Sequence, residues 1–207
     1  MIAIIDYKAG NLTSVRLALE HIGAPCEVTS DPSRISAAER VIFPGVGAAG
    51  EAMRNLRELR LIGPLRSVVS SGVPFLGICL GTQVIFEFSE EDGGTPCIGL
   101  VSGAVKRFTP SDPMCKIPHM GWNTVRFAAA HPLFSGIEDG SEFYFVHSYY
   151  PAPSEAGCVL GETEYAGVRF ASVVGRDNLF ATQFHPERSG RIGLTLLANF
   201  SRWNGTC

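Results

Sequence analysis

The chain has 207 residues, 45% of them apolar and 18% charged, with a formal net charge of -3. This is enough to bury the core of one domain spanning residues 1–207, and the near-balanced charge offers no polyanion-binding surface, so nucleic acid is not an expected partner. No apolar run approaches the ~20 residues of a membrane span, and the six cysteines (26, 79, 97, 115, 158 and 207) contain no C-x-x-C pair, which fits reduced thiols in the cytoplasm with no metal site. Met1-Ile2-Ala3-Ile4-Ile5-Asp6 lacks a basic leader and reads as a buried strand over Ile2–Ile5, not a signal peptide. Leu12, Val15, Leu19 and Ile22 recur at helical spacing and predict a helix over Leu12–Ile22. A short strand near Glu27–Thr29, the run Val41–Phe43, helical segments at Gly50–Leu56 and Leu61–Ser70, and a strand at Phe75–Ile78 that runs into a helix follow. This alternation predicts an α/β fold with a mostly parallel central sheet and helices on both faces. Beyond Gly93-Gly94, strands are predicted at Val101–Phe108, Asn123–Phe127, Glu142–His147, Cys158–Glu162, Gly167–Val174 and Leu179–Phe184, and a last helix at Gly190–Trp203.

Chemistry concentrates in three segments. Gly77-Ile78-Cys79-Leu80-Gly81 has the Gly-x-Cys-x-Gly spacing of a nucleophile elbow, where two glycines let a strand and a helix pack closely around a strained turn. A cysteine at the start of that helix meets unpaired backbone N–H groups, which favour the nucleophilic thiolate. A buried core cysteine between turn glycines is the competing reading. Gln183-Phe184-His185-Pro186-Glu187 supplies what a thiol nucleophile needs: a base, and a carboxylate to orient it. Two residues apart in an extended segment, His185 and Glu187 would point the same way, and Pro186 disfavours helix at His185. A solvated histidine on a surface turn would leave the same trace. In Val41-Ile42-Phe43-Pro44-Gly45-Val46-Gly47 an apolar run ends in Pro-Gly-x-Gly, so backbone N–H groups there are free to turn toward a neighbouring site. The N–H of Gly47 or Val46, with that of Leu80, are the candidate oxyanion donors for acyl transfer. Gly47, Cys79 and His185 each follow a predicted strand, so one edge of a parallel sheet could gather them.

The three motifs, in this order and spacing, resemble the class I (triad) glutamine amidotransferases, and the resemblance covers essentially the whole chain. It implies a flavodoxin-like α/β fold, no cofactor, and L-glutamine as substrate, with Cys79, His185 and Glu187 as the triad. It also implies that Gln83 and Glu91 bind the amino-acid end of glutamine and that the backbone of Ser148 and Tyr149 completes the pocket. Read alone, Glu87–Glu91 is better taken as a solvated helix end.

Three further segments narrow the resemblance to the glutaminase subunits of imidazole glycerol phosphate synthase, in histidine biosynthesis. They are Ile5-Asp6-Tyr7-Lys8-Ala9-Gly10-Asn11, Pro118-His119-Met120-Gly121-Trp122-Asn123 and Phe143-Tyr144-Phe145-Val146-His147-Ser148-Tyr149-Tyr150. That likeness implies a heterodimer with a (β/α)8-barrel cyclase subunit, which receives the ammonia, and places Asn11, Trp122 and Tyr144 at the contact. Two positions depart from the pattern. Thr82 stands where methionine is usual, and would pack beneath the elbow. Arg188 stands where many members carry lysine opposite the interface tyrosine, and its planar fork changes the geometry of that contact. Three other readings compete: the glutaminase of pyridoxal 5'-phosphate synthase, a cysteine hydrolase or chaperone of similar fold, and a non-catalytic binding subunit, against which the intact Cys79, His185 and Glu187 argue. The first shares the triad but not the Asp6–Asn11 and Pro118–Asn123 segments, and the second does not account for the His-Pro-Glu segment.

Overall fold

Strands that are apolar throughout need cover on both faces, and the first half of the chain builds such a sheet. The computed structural model describes residues 1–8, 10–110, 112 and 114–206; Ala9 of the N-terminal motif and Cys207 lie outside the described residues. In chain order the strands are β1 (Ile2–Ile5), β2 (Cys26–Thr29), β3 (Arg40–Gly45), β4 (Phe75–Cys79), β5 (Phe86–Ser89), β6 (Thr95–Pro96) and β7 (Val101–Arg107). They continue with β8 (His119–Thr124), β9 (Arg126–Phe127), β10 (Glu142–His147), β11 (Tyr149–Pro153), β12 (Val159–Tyr165), β13 (Val168–Arg176) and β14 (Leu179–Thr182). The helices are α1 (Leu12–His21), α2 (Pro32–Ser36), α3 (Ala49–Glu58), α4 (Ile62–Ser70), α5 (Leu80–Val84) and α6 (Gly190–Arg202).

The main sheet runs β2-β1-β3-β4-β14-β13-β12-β9. Its first five strands pair in parallel, and β13, β12 and β9 are antiparallel. Successive side chains go to opposite sides. Ala3, Ile5, Val41, Phe43 and Phe75 join a core with Met53 and Leu56 of α3 and Leu65 and Val68 of α4. Ile2, Ile4, Ile42, Leu76 and Ile78 join the other, with Val15 and Leu19 of α1 and Leu196, Leu197 and Phe200 of α6. Helices therefore cover both faces, as the alternating pattern predicts. Two smaller sheets flank the main one: a ribbon of β8 with β10, and a side sheet in the order β11-β7-β5-β6.

Three local differences from the sequence expectation bear on the site. The elbow helix α5 is only five residues long, and the chain returns to strand at Phe86, so Glu87–Glu91 is not a helix end. The strand expected at Asn123–Phe127 is two: β8 starts earlier, at His119, to pair residue for residue with β10, and it breaks at buried Val125 before β9. β11 carries Pro151 and Pro153, and it lies at the edge of its sheet, where proline is tolerated. The parallel strands β3, β4 and β14 are neighbours, with Gly45 opposite Cys79 in the register. Their carboxyl ends define one edge of the sheet, where an open α/β sheet places its site.

Candidate active site

The elbow is a local consequence of its glycines. Cys79 ends β4 at φ 54°, ψ -108°, left-handed backbone that a non-glycine residue adopts only when its surroundings force it. A Cβ on Gly81 would lie 1.8 Å from the Phe43 carbonyl oxygen, so only glycine lets α5 approach β3 this closely. Thr82 is fully buried below the turn, as expected, and its hydroxyl donates to the Thr182 carbonyl at 2.6 Å, fixing α5 to β14. The Cys79 sulfur lies 3.7 Å from Gln183 Nε2 and 3.9 Å from the Val146 carbonyl.

His185 and Glu187 meet, but not through an extended segment. His185 is extended at φ -98°, ψ 96°, whereas Pro186–Arg188 forms a single 3₁₀ turn that folds the carboxylate back. His185 Nδ1 and Glu187 Oε1 are 2.8 Å apart, with side chains 1% and 0% exposed. The Asn11 amide donates to the same carboxylate oxygen. Burial alone would favour the neutral imidazole, yet the neighbouring Cys79 sulfur and the Glu187 carboxylate outweigh it and hold His185 well above its ordinary pKa. His185 Nε2 has no hydrogen-bond partner among the described residues. Below it, Ser189 donates to the His185 carbonyl at 2.6 Å and accepts from the Tyr144 N–H at 3.0 Å, tying the turn to β10.

A cleft of about 330 Å³ opens over the sulfur. Val46, Gly47 and Leu80, the expected oxyanion donors, line it with Cys79. Gly47 sits at φ 106°, a conformation that side-chain-bearing residues avoid. Gln83, Glu91, Ser148 and Tyr149, the expected glutamine-binding residues, line it as well. Gln83 Nε2 donates to the Tyr149 carbonyl and to Gln183 Oε1, each at 3.0 Å. Glu91 sits in the turn after β5 and accepts the Ala49 N–H at 2.7 Å. Half-burial raises its carboxyl pKa, a shift the Ala49 N–H partly opposes and the Asp92 charge reinforces.

Several residues at the site were not singled out from sequence. Pro118, Val146 and His147 complete the cleft, and Gln183 faces the sulfur. Tyr7 is fully buried against Gly45, its hydroxyl has no partner among the described residues, and burial together with the Cys79 charge pushes its pKa up. All five stand inside the sequence motifs, but nothing in the spacing marks their roles. Pro118, Val146 and His147 enter through the pairing of β8 with β10, which no local pattern reveals.

Of the four expected contact residues, three gather on the outer face. Trp122 is 54% exposed and packs edge-to-face on Tyr144, its cross-strand partner, at 6.2 Å between ring centres. The Arg188 guanidinium lies 5.7 Å from the centre of the Tyr144 ring, a cation–π contact in place of the lysine pairing. Asn11 instead turns inward to Glu187. Among the described residues no cluster of histidine, cysteine or carboxylate side chains could hold a metal, and no helix is long and apolar enough to cross a membrane. Cys26, Cys79, Cys97, Cys115 and Cys158 are free thiols.

A thiol on a strained strand-to-helix turn, backed by a buried imidazole–carboxylate pair and opening on a cleft with backbone donors, is equipped for acyl transfer through a thioester. Residues 3–202 match the family model "Glutamine amidotransferase class-I". The chain is 50% identical over 206 residues to the imidazole glycerol phosphate synthase subunit HisH of Nitrosococcus oceani, covering 99% of this chain and 98% of the relative. It is 53% identical over 199 residues to the subunit of the same name from Moorella thermoacetica, covering 96% and 93%. A crystal structure of a glutamine amidotransferase superposes with a TM-score of 0.74 at 16% identity, covering 97% of both chains, a likeness of fold. The chain belongs to the class I glutamine amidotransferases and, within them, to the HisH subunits of imidazole glycerol phosphate synthase.

Proposed function

We propose that the chain is one amidotransferase domain over residues 1–207 that hydrolyses L-glutamine to glutamate and ammonia. It passes the ammonia to a cyclase subunit with a (β/α)8-barrel fold, which makes imidazole glycerol phosphate and AICAR in L-histidine biosynthesis. Glutamine enters the cleft with its amino-acid end against Gln83, Glu91 and the backbone of Ser148 and Tyr149. Cys79, as thiolate, attacks the side-chain carboxamide carbon, and the N–H groups of Gly47 or Val46 and of Leu80 stabilise the oxyanion. As the C–N bond breaks, His185 gives its proton to the leaving nitrogen, so ammonia departs and a γ-glutamyl thioester remains. His185 then takes a proton from water as the water attacks the thioester carbon; the C–S bond breaks, glutamate leaves with its carboxyl proton lost to solvent, and the Cys79 thiolate is restored beside protonated His185. Glu187 keeps the imidazole in the tautomer and orientation that both steps need.

The observation that carries this reading is the buried pair of His185 and Glu187 at 2.8 Å, within electrostatic reach of Cys79 on its left-handed elbow. Ammonia is useful only if it reaches its acceptor before it is protonated or lost, so the cleft needs a docked partner. Trp122, Tyr144 and Arg188, together with Asn11 on the triad carboxylate, are the proposed contact and its link to the site. The assigned surroundings are cytoplasmic, and no cofactor is involved.

The test is glutamate release from glutamine by the chain alone and with the cyclase subunit plus its nucleotide ligand, with Cys79→Ala as control. A rate that is low alone, rises strongly with partner and ligand, and vanishes in Cys79→Ala is the expected result. Turnover only with the barrel of pyridoxal phosphate synthase would keep the triad and overturn the pathway. Silence with both partners would overturn the glutaminase reading.

A further inference from the structure

The histidines of the ribbon belong to a hydrogen-bond chain that ends at the nucleophile. His147 Nδ1 is 2.7 Å from the Tyr149 carbonyl, which only accepts, so that nitrogen carries the hydrogen. His147 Nε2 is therefore bare and accepts from His119 Nδ1 at 2.9 Å. His119 Nε2 is bare in turn and accepts from the Asn123 amide at 3.2 Å. That amide is oriented independently, donating to the Glu164 carbonyl at 3.0 Å while its oxygen accepts the Thr124 N–H at 2.8 Å. From the Tyr149 carbonyl the chain continues through Gln83 and Gln183 to the Cys79 sulfur.

Packing fixes the rings in this arrangement. His119 is stacked between Phe145 and Tyr165, at 4.8 and 3.9 Å between ring centres. His147 lies 5.3 Å from the Phe170 ring and 5.4 Å from Phe108. The two histidines are cross-strand partners of β8 and β10, and are 2% and 6% exposed. Burial keeps both neutral near pH 7, which the alternation of donor and acceptor requires. Neither ring is part of the Cys79–His185–Glu187 relay, and a plain core would place apolar side chains here at lower cost.

We infer that His119 and His147 are positioning residues of the glutamine pocket: they hold the Tyr149 carbonyl, and through it Gln83, from the strand that carries exposed Trp122. This rests on the glutaminase reading. In their absence the Tyr149 carbonyl and the Gln83 amide lose a common anchor, and the wall that meets the amino-acid end of glutamine loosens while the triad stays in place. The effect therefore falls on glutamine binding more than on the chemical step.

The test uses the glutaminase–cyclase complex with its nucleotide ligand. His147→Phe keeps the ring shape but neither nitrogen, whereas His147→Asn keeps an N–H near the Nδ1 position. The expected result for His147→Phe is a KM for glutamine raised roughly tenfold, the equivalent of one lost hydrogen bond, with kcat altered much less. His147→Asn should recover most of that KM. Imidazole nitrogen NMR on histidine-labelled wild-type complex should show both rings in the Nδ1–H tautomer, the minority form of a free histidine side chain. An unchanged KM in His147→Phe, an Asn variant no better than Phe, or an Nε2–H tautomer in either ring would overturn the inference. The tautomer measurement decides the matter if His147→Phe does not fold. A wild-type complex without glutaminase activity would instead refute the functional reading and leave the tautomer test standing.

Discussion

Mild acid should destabilise the isolated chain through histidines that are buried uncharged. His119, His131 and His147 are three of the five histidines in the sequence, and burial pushes His119 and His131 down to about 4 and His147 to about 3. A second proton has no acceptor in these sites. His131 Nδ1 already accepts the Leu133 N–H at 3.1 Å, and His147 Nε2 faces the His119 N–H. Unfolded, each ring takes its proton near about 6.5. Below that value the unfolded chain holds more protons than the native one, so stability falls as pH falls, levelling off only near the folded values. Between about pH 7 and about pH 5.5, a ring that stays neutral in the fold loses about 1 kcal/mol. Counting His119 and His131, which burial pushes down less than His147, at half strength leaves a loss of about 2–3 kcal/mol. His185 opposes this. Its raised pKa means its contribution is fully present below the unfolded value and is lost as pH rises through the folded one, so it returns somewhat under 1 kcal/mol across the window. Glu91, also raised, acts weakly in the same sense. The net loss is about 2 kcal/mol, which at a slope of about 2 kcal/mol per molar urea lowers the unfolding midpoint by about 1 M. Urea titrations at the two pH values measure it, and His131→Asn, which keeps an acceptor for Leu133, should reduce the pH dependence. A midpoint that stays constant or rises in acid would refute the reasoning.

Other perturbations separate fold, chemistry and docking. Gly81→Ala drives a Cβ into the Phe43 carbonyl, and should cost about 3 kcal/mol or more and lower the melting temperature by roughly 10 °C; an unaltered melt would show that β3 and α5 can separate freely. Glu187→Gln removes the charge that holds His185 and should lower kcat of the activated complex about a hundredfold or more, with little change in KM for glutamine. A loss under about threefold would mean the imidazole does not depend on the carboxylate. Trp122→Ala should leave the melting temperature of the isolated chain unchanged but weaken cyclase binding by about 2 kcal/mol or more in titration calorimetry. Unchanged affinity would remove Trp122 from the proposed contact.

The legible parts of the sequence are those where one physical demand dominates. Val41–Phe43 and Phe75–Ile78 read as strands because covered parallel strands are apolar without alternation. The elbow is legible because close approach at Gly81 and the turn at Cys79 restrict which residues fit. Val84-Ile85-Phe86 could not show that α5 stops after one turn, since a short apolar run fits helix and strand alike. The His-Pro-Glu segment predicts the pairing of His185 with Glu187, but the 3₁₀ turn that achieves it depends on packing against β10 and α6. No role for His119 or His147 is legible in the sequence, because only the register of β8 on β10 brings residues so far apart in the chain to 2.9 Å.

The side sheet sets the terms on which this enzyme could diverge. Glu91 and Tyr149, which face the cleft, stand in the turn after β5 and at the head of β11, while the sulfur rides on β4 of the main sheet. On the proposed reading, drift in β5, β6, β7 or β11 reshapes the part of the glutamine wall that Glu91 and Tyr149 build without replacing the thiol, the imidazole or their carboxylate. Selectivity and reactivity are thereby separately heritable, and a lineage could try new amides while its nucleophile stays fixed.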